Sequence, residues 1–288
     1  LLTMRQVVGD PFRHVLITDT LNDMNVLTSH HVSQVTFPLY LYPNGDFALL
    51  LDSAELSPWE PDSDHGNRVP NLAPAFVQDV EAKLGLSFQH PAFSHEQPDS
   101  RNQPSADTFT PEGLLAYIYA LFHSPSHRVR YAESLKIDFP RVPITSDAGL
   151  FWQLVALGQE LIDLHLMKHR KLEQHITSYP VNGSDRVKRR GGFPKFIPAG
   201  ESRTKTSKVA EQNRIYINLE QYFAGVPEEV WEFEVGGYQV LHKWLKDRKG
   251  RVLSYDEMEH YHRIVVALQE TIRLMAEIDA VIPSWPIK

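Results

Sequence analysis

The chain has no cysteine in 288 residues. That excludes disulfides, cysteine zinc ribbons and thiol nucleophiles, and it fits a reducing compartment. No apolar run reaches the roughly 18–20 residues needed to cross a bilayer. No secretory or transit signal opens the sequence, so a cytoplasmic protein without a membrane partner is expected. Catalytic signatures are missing too. No glycine run ends in Lys-Ser or Lys-Thr, and no G-x-G-x-x-G follows a strand pattern. Neither His-Glu-x-x-His nor Gly-x-Ser-x-Gly occurs. The Asn/Asp-Pro-Pro-aromatic tetrapeptide and the Gly-rich methyl-donor loop of amino-methyltransferases are also absent. The expectation is a chain with no catalytic residue, no metal and no cofactor of its own.

What is present is ordinary for a globular protein: 42% apolar and 23% charged residues. The length allows one large domain or two small ones, and one domain over 1–288 is expected. The opening Leu-Leu-Thr, with no early initiator, reads as the start of a piece of a longer protein. A formal net charge of −7 rules out a uniformly basic surface, but the charge is unevenly spread. Residues 44–107 hold eleven Asp/Glu against three Lys/Arg. Residues 186–214 hold nine Lys/Arg against two Glu, and residues 243–251 hold five against one Asp. A mildly acidic body with two basic patches can bind a polyanion locally. The competing reading is two solvated faces.

Residues 1–107 read as β-rich with a Pro-rich loop region. Strand candidates are His14–Thr18 and Val35–Tyr42, the latter interrupted by Pro38. Asn44-Gly45 is a turn signal with Phe47–Leu51 as hairpin partner, and a helix is predicted over Pro74–Leu84 with Gly85 as its stop. Residues 108–175 read as helical. Thr110-Pro111-Glu112 starts one helix, Ser124-Pro125 breaks it, and a second segment covers Ser126–Leu135. A third starts at Ser146 or Asp147 and runs through Leu164 towards Met167. Residues 176–253 read as an irregular basic loop, a hairpin and a short helix. Ile215 and Ile217 alternate with polar neighbours, as do Trp231, Phe233 and Val235, which predicts two strands separated by Gly225 and Pro227. Gly236-Gly237 then reads as a joint before a helix carrying Val240, Leu241, Trp244 and Leu245, with Gly250 as its stop. In residues 254–280, Ser254 and Glu257 form a capping box. Met258, Tyr261, Val265, Leu268, Ile272 and Met275 follow in heptad-like spacing. The expected fold is α+β: a mixed or antiparallel sheet, a helical subdomain and a long carboxy-terminal helix.

Two motifs invite over-interpretation. Pro61-Asp62 with Glu81-Ala82-Lys83 fits a loose metal-nuclease pattern. That chemistry needs the carboxylate and lysine on a strand, and here they fall in a helical pattern that separates them. His165 and His169 are four apart and suit a shared metal, but no third ligand accompanies them.

Three blocks carry a family likeness: RQVVGDPFRHVLITD followed by FPLYLYP; YIYALFHSPSHRVRYAESLKIDFPRVPI at Tyr117–Ile144; and VWEFEVGGYQVLHKWLKDRKGR at Val230–Arg251, continuing as LSYDEMEHYHRIVVALQETIRLMAEID. Together they resemble the C-terminal specificity domain of Type ISP (LlaBIII-like) restriction-modification enzymes. The last two blocks also resemble the C-terminal parts of many adenine-specific methyltransferase-restriction proteins. In that family a nuclease, an ATP-driven translocase, an adenine methyltransferase and a target recognition domain share one polypeptide. The resemblance implies that this chain reads a short sequence in double-stranded DNA and holds the duplex for an upstream methyltransferase domain. S-adenosylmethionine, and ATP and Mg where a motor is present, would then belong to upstream domains. A protein-interaction or scaffold domain using 108–175 and the last helix is the alternative.

DNA recognition needs cations for phosphates and directed donors for base edges. Arg186, Lys188, Arg189 and Arg190 lie in a loop ending in Gly191-Gly192, and Arg203, Lys205, Lys208 and Arg214 extend that patch. Lys243, Lys246, Arg248 and Lys249, with Arg251, form the second. It lies in the family-like block, so it is read as structural or phosphate-binding. Trp231, Phe233 and Trp244 are expected in the core, and His127, Arg128 and Arg130 are weaker phosphate candidates.

Overall fold

The computed structural model describes residues 1–7, 11–20, 27–29, 32–42, 62, 67–89, 107–204 and 208–287. The amino-terminal apolar stretches form an antiparallel sheet of β1 (Leu2–Met4), β2 (Val15–Leu16), β3 (Thr28–Ser29) and β4 (Val32–Thr36), ordered β2-β1-β4-β3. The stretch predicted over Val35–Tyr42 divides at Pro38, which has no N–H to give a ladder. Beyond it, β5 (Tyr40–Leu41) pairs with β6 (Val69–Pro70). The predicted Asn44-Gly45 hairpin lies outside the described residues. Helix α1 (Pro74–Leu84) begins on a proline and stops at Gly85, whose φ of +66° suits glycine. β7 (Ser87–Phe88) and β8 (Thr108–Phe109) pair in parallel.

Helix α2 (Pro111–His123) is capped by the Thr110 hydroxyl, which accepts from Gly113 N at 3.1 Å. Ser124 ends it and caps α3 (Pro125–Arg130), followed by α4 (Ala132–Leu135). Helix α5 (Ala148–His165) is capped by the Asp147 carboxylate. It packs on α2 so closely that a Cβ on Gly158 would lie 1.9 Å from the Ala116 carbonyl oxygen. Tyr117, Tyr119, Phe151 and Leu154 are fully buried around this contact. Each such side chain contributes about 1.5–3 kcal/mol of apolar burial.

The next region corrects several expectations. The stretch read as irregular contains β9 (Lys195–Ile197), which joins β10 (Arg214–Tyr216) and β11 (Tyr222–Ala224) in an antiparallel sheet ordered β11-β10-β9. The hairpin partner of Ile215 is therefore Tyr222–Ala224, not Trp231–Val235. Its turn is made by Asn218, whose Oδ1 accepts from the amides of Glu220 and Gln221 at 2.9 and 2.8 Å. The predicted second strand instead begins as helix α6 (Glu228–Trp231), with Glu228 and Glu229 at its positive end. The Gly236-Gly237 joint is a hairpin turn with φ of +58° and +78°, between β12 (Glu234–Val235) and β13 (Tyr238–Gln239). Helix α7 (Val240–Lys246) follows, and Gly250 lies beyond its end rather than capping it.

Helix α8 (Tyr255–Val281) carries the predicted capping box. Its buried residues belong to two cores. Tyr261, Val265 and Leu268 pack with Ile215, Phe223, Val230 and Leu241, whereas Val266, Leu274 and Ile278 pack with α2 and α5. The heptad-like stripe from Met258 to Ile272 thus packs into the smaller core, and a different face of the helix packs on α2 and α5, so the stripe is an intramolecular contact and not a coiled-coil seam. Trp231 is buried and Phe233 and Trp244 pack against the smaller core. The α+β class, the helical part and the long last helix stand as expected.

Candidate functional site

The two basic patches, far apart in sequence, meet in space. Val187 is fully buried in the smaller core and pins the first basic loop. Its N–H donates to the Arg251 carbonyl at 2.9 Å, and its carbonyl accepts from Gly250 N at 2.6 Å. Leu253 N donates to the Asp185 carbonyl at 2.8 Å, and Lys188 N donates to the Ile217 carbonyl at 2.9 Å. This backbone strap ties the loop to both the end of β10 and the turn after α7. Gly250 is required at the crossing: its φ is +85°, and a Cβ there would come 2.2 Å from Arg189 Nε. Arg186 Nη1 donates to the Gly250 carbonyl at 2.6 Å.

A buried amide network fixes the foot of the loop. Gln221 is 1% exposed. Its Oε1 accepts from Asp185 N at 2.8 Å, and its Nε2 donates to Asp185 Oδ1 at 2.6 Å and to the Val181 carbonyl at 3.1 Å. Asn218 Nδ2 donates to the Arg186 carbonyl at 3.2 Å and to Gln221 Oε1 at 2.9 Å. Gly183 lies flush on this amide, since a Cβ there would fall 2.7 Å from its Cδ.

Above the strap, Arg186, Arg189, Arg190 and Lys246 are exposed, with Lys188 and Lys249 half-buried. Among the described residues none of these six has a carboxylate within ion-pair distance. The other cations are engaged. Arg248 lies 3.5 Å above the Trp244 ring and pairs with Glu257 at 3.1 Å; Arg251 pairs with the same carboxylate at 2.8 Å. The Ser254 amide, with the Arg248 and Arg251 guanidiniums beside it, holds Glu257 below the usual carboxylate range. Lys243 is ion-paired with Asp247. Lys208 is exposed, and Lys205 lies outside the described residues.

Arg203 and Arg214 sit apart from the strap, on the face of the three-stranded sheet that points away from the smaller core. Arg203 lies 5.1 Å from the Tyr216 ring centre and Arg214 lies 4.5 Å from that of Tyr222. Lys195, exposed and opposite Tyr216 in register, belongs to this face and was missed in the sequence because β9 was. A Lys-Phe-Ile triplet between two prolines is too short to show strand periodicity.

The other candidates have structural employment. His127 is 1% exposed, and Arg128 is half-buried with its Nε donating to the Phe122 carbonyl. Neither is a surface cation, and only Arg130 of that trio is exposed. His165 and His169 do not converge: α5 ends at His165, and His169 Nδ1 caps the next turn by accepting from Lys171 N. His165 is half-buried, in a hydrogen-bonded chain that fixes its tautomer. Thr271 Oγ1 donates its one hydrogen to the Ala267 carbonyl, so His165 Nε2 must donate to Thr271 at 2.9 Å, leaving Nδ1 to accept from Tyr119 at 2.6 Å. Burial pushes this imidazole down to about 4. Glu81 accepts from Phe88 N, and buried Asp62 pairs with Arg68. Among the described residues no cluster of three His, Asp or Glu is arranged to hold a metal, and no helix is long and apolar enough to cross a membrane.

Comparison with known proteins gives one family: a model described as the Type ISP C-terminal specificity domain matches residues 1–277. No curated protein matches. Three solved structures share the fold. The ATP-dependent Type ISP enzyme LlaBIII bound to DNA matches with a TM-score of 0.59 and 21% identity over 100% of this chain and 16% of its own. A nuclease-deletion mutant of the Type ISP enzyme LlaGI, in complex with a DNA substrate mimic, matches with a TM-score of 0.56 and 18% identity over 100% and 21%. A DrdV–DNA complex matches with a TM-score of 0.58 and 18% identity over 96% and 24%. The chain thus spans less than a quarter of the length of each.

Proposed function

Since the chain belongs to the Type ISP C-terminal specificity domain family, we propose that it recognises a short sequence in double-stranded DNA for a restriction-modification enzyme. In this proposal it contributes no catalytic residue and no cofactor. An upstream methyltransferase domain is its partner, S-adenosylmethionine (with ATP and Mg where a motor exists) belongs to that remainder, and the setting is the cytoplasm.

The observation that carries the proposal is the strap. Seven cations from two distant segments (Arg186, Lys188, Arg189, Arg190, Lys246, Lys249 and Arg251) are gathered on one surface, and among the described residues only Glu257 reaches any of them. Gathering like charge is unfavourable in isolation, and a polyanion relieves it. A duplex supplies phosphates at the right density, and the released counterions make the binding salt-dependent.

The test is fluorescence anisotropy of a labelled duplex across a salt series. The triple variant Lys188→Gln, Arg189→Gln, Arg190→Gln should lower the log–log salt slope by about 2–3 and weaken binding at every sequence. Unchanged affinity at low salt, with an unchanged melting curve, would remove this loop from the interface.

A further inference from the structure

We infer that the outer face of the three-stranded sheet is the base-reading element of this domain, with Arg214 and Arg203 as its specificity-determining side chains and a G·C pair as the feature they read. The inference rests on the DNA-recognition reading above and divides its cations into two kinds.

Arg214, Tyr216 and Tyr222 lie on one face because cross-strand partners point the same way, and Tyr216 is opposite Tyr222. The two rings are 4.9 Å apart. Arg214 stacks on Tyr222 with its Cζ 4.5 Å from the ring centre, and its Nη1 reaches the Tyr216 hydroxyl at 3.4 Å. Its Nε is buried and has no hydrogen-bond partner. Arg203 covers the far ring, 5.1 Å from the centre of Tyr216. Among the described residues neither arginine meets a carboxylate, so the face holds two guanidiniums with no counter-charge there.

Stacking decides what such arginines are for. A guanidinium held against a ring face loses rotational freedom, so its planar N–H fork is pre-organised for a planar acceptor pair. A phosphate does not require that, since it is recognised as well by a cation held against no ring, as Arg189 and Arg190 are among the described residues. Guanine presents two acceptors, O6 and N7, in the major groove at the spacing of that fork. The Nε–H has no acceptor, so swinging the guanidinium out to a base breaks no hydrogen bond at that atom. The support is also rigid. Tyr216 is 8% exposed and packs with Phe193, Ile197 and Ala210. The strap attaches at Ile217, three residues along from Arg214, or roughly 10 Å at strand rise. Phosphate anchors at one end of a sheet therefore present its face to the adjacent groove.

The test is selection from short duplexes with a randomised centre, using the full chain, followed by sequencing of the retained pool. The wild-type protein should enrich a motif with at least one invariant G. Arg214→Gln and Arg203→Gln should bind unselected duplex with a salt slope changed by no more than about 1, yet lose about tenfold or more of the discrimination at one G·C position each. Arg214→Lys keeps the charge and the strand but not the fork, so it should lose the same position. The Lys188, Arg189, Arg190 triple variant should bind more weakly while enriching the same motif. If Arg214→Gln or Arg214→Lys enriches the wild-type motif undiminished, the inference is overturned and Arg214 is a phosphate anchor. Arg203, on a loop outside the strands, decides the question in the same way should Arg214→Gln not fold. No retention of any duplex by the wild-type protein would overturn target recognition itself, and this inference with it.

Discussion

Around α2 and α5, charge is consumed within the fold. Half-buried Arg128 donates to the Phe122 carbonyl, and Lys171, Glu160, Glu270 and Arg273 close a network of ion pairs between the helices at 2.7–2.8 Å. Around β9, β10 and β11 the opposite holds: Arg189, Arg190, Lys249, Arg203 and Arg214 stand over a rigid frame, and no carboxylate among the described residues pairs with them. Both halves share α8, so the contrast is not between an ordered and a loose region. One half stores its polar groups as structure; the other holds them ready for a ligand.

The largest effect that sharpens this contrast is acid. Buried His127 and half-buried His165 are neutral, and desolvation depresses each to about 4. Buried His123 is lowered as well, first by desolvation and then by the charge of His165, and His262 moves the same way. The folded values lie below the unfolded value of about 6.5. This stability is therefore fully present above that pH and is lost as pH falls towards 4, where the unfolded chain binds protons the core refuses. For His165 alone the loss is on the order of 3 kcal/mol. Urea melts at pH 7 and pH 4.5 should show it, and the His165 imidazole should not titrate by NMR until near pH 4. A His165 resonance titrating near 6.5 in the folded protein would show that the helical half is not sealed.

Next in size is Gly158→Val. The Cβ would fall 1.9 Å from the Ala116 carbonyl oxygen, and neither backbone can yield without parting α2 from α5. Overpacking of this kind costs about 3 kcal/mol or more. Melting should show the full loss, while duplex binding by the fraction that remains folded should be unchanged, since the cations sit on the other half.

What the sequence disclosed divides along the same line. The helical half was legible because its signals are local: Thr110 and Asp147 as caps, Gly85 as a stop, Ser254 with Glu257 as a capping box. The sheet half was not, for three physical reasons. Its strands are three residues or fewer, too short for a period of two to show. Its hairpin turns on Asn218 rather than on a glycine pair. The Trp231–Val235 alternation that looked like a strand arises from one helical turn followed by a two-residue strand. Which cations are candidates was readable from composition. That the two patches are one surface was not, because the strap is made of backbone hydrogen bonds between Val187 and Arg251 that no side-chain pattern announces. The same holds for the Arg-Tyr stacks, which depend on a strand register.

The smallest effect is the most direct probe of the frame. Gln221→Ala removes no charge, but it leaves the Asp185 amide and the Val181 carbonyl without partners and deprives the Asp185 carboxylate of a donor. Leaving such groups buried costs about 2 kcal/mol. Because the network fixes the foot of the loop that carries Arg186 to Arg190, the variant should also bind duplex more weakly by about tenfold through disorder of the loop. Its salt slope should stay near that of the wild type, since every phosphate-binding cation is retained. Stopped-flow dissociation from labelled duplex, read beside a urea melt, separates the two consequences. Should the melt drop while binding stays intact, the cations are held by the Val187–Arg251 strap alone, and the amide network serves the sheet half as the ion network serves the helical one: as stability rather than as preparation for a ligand.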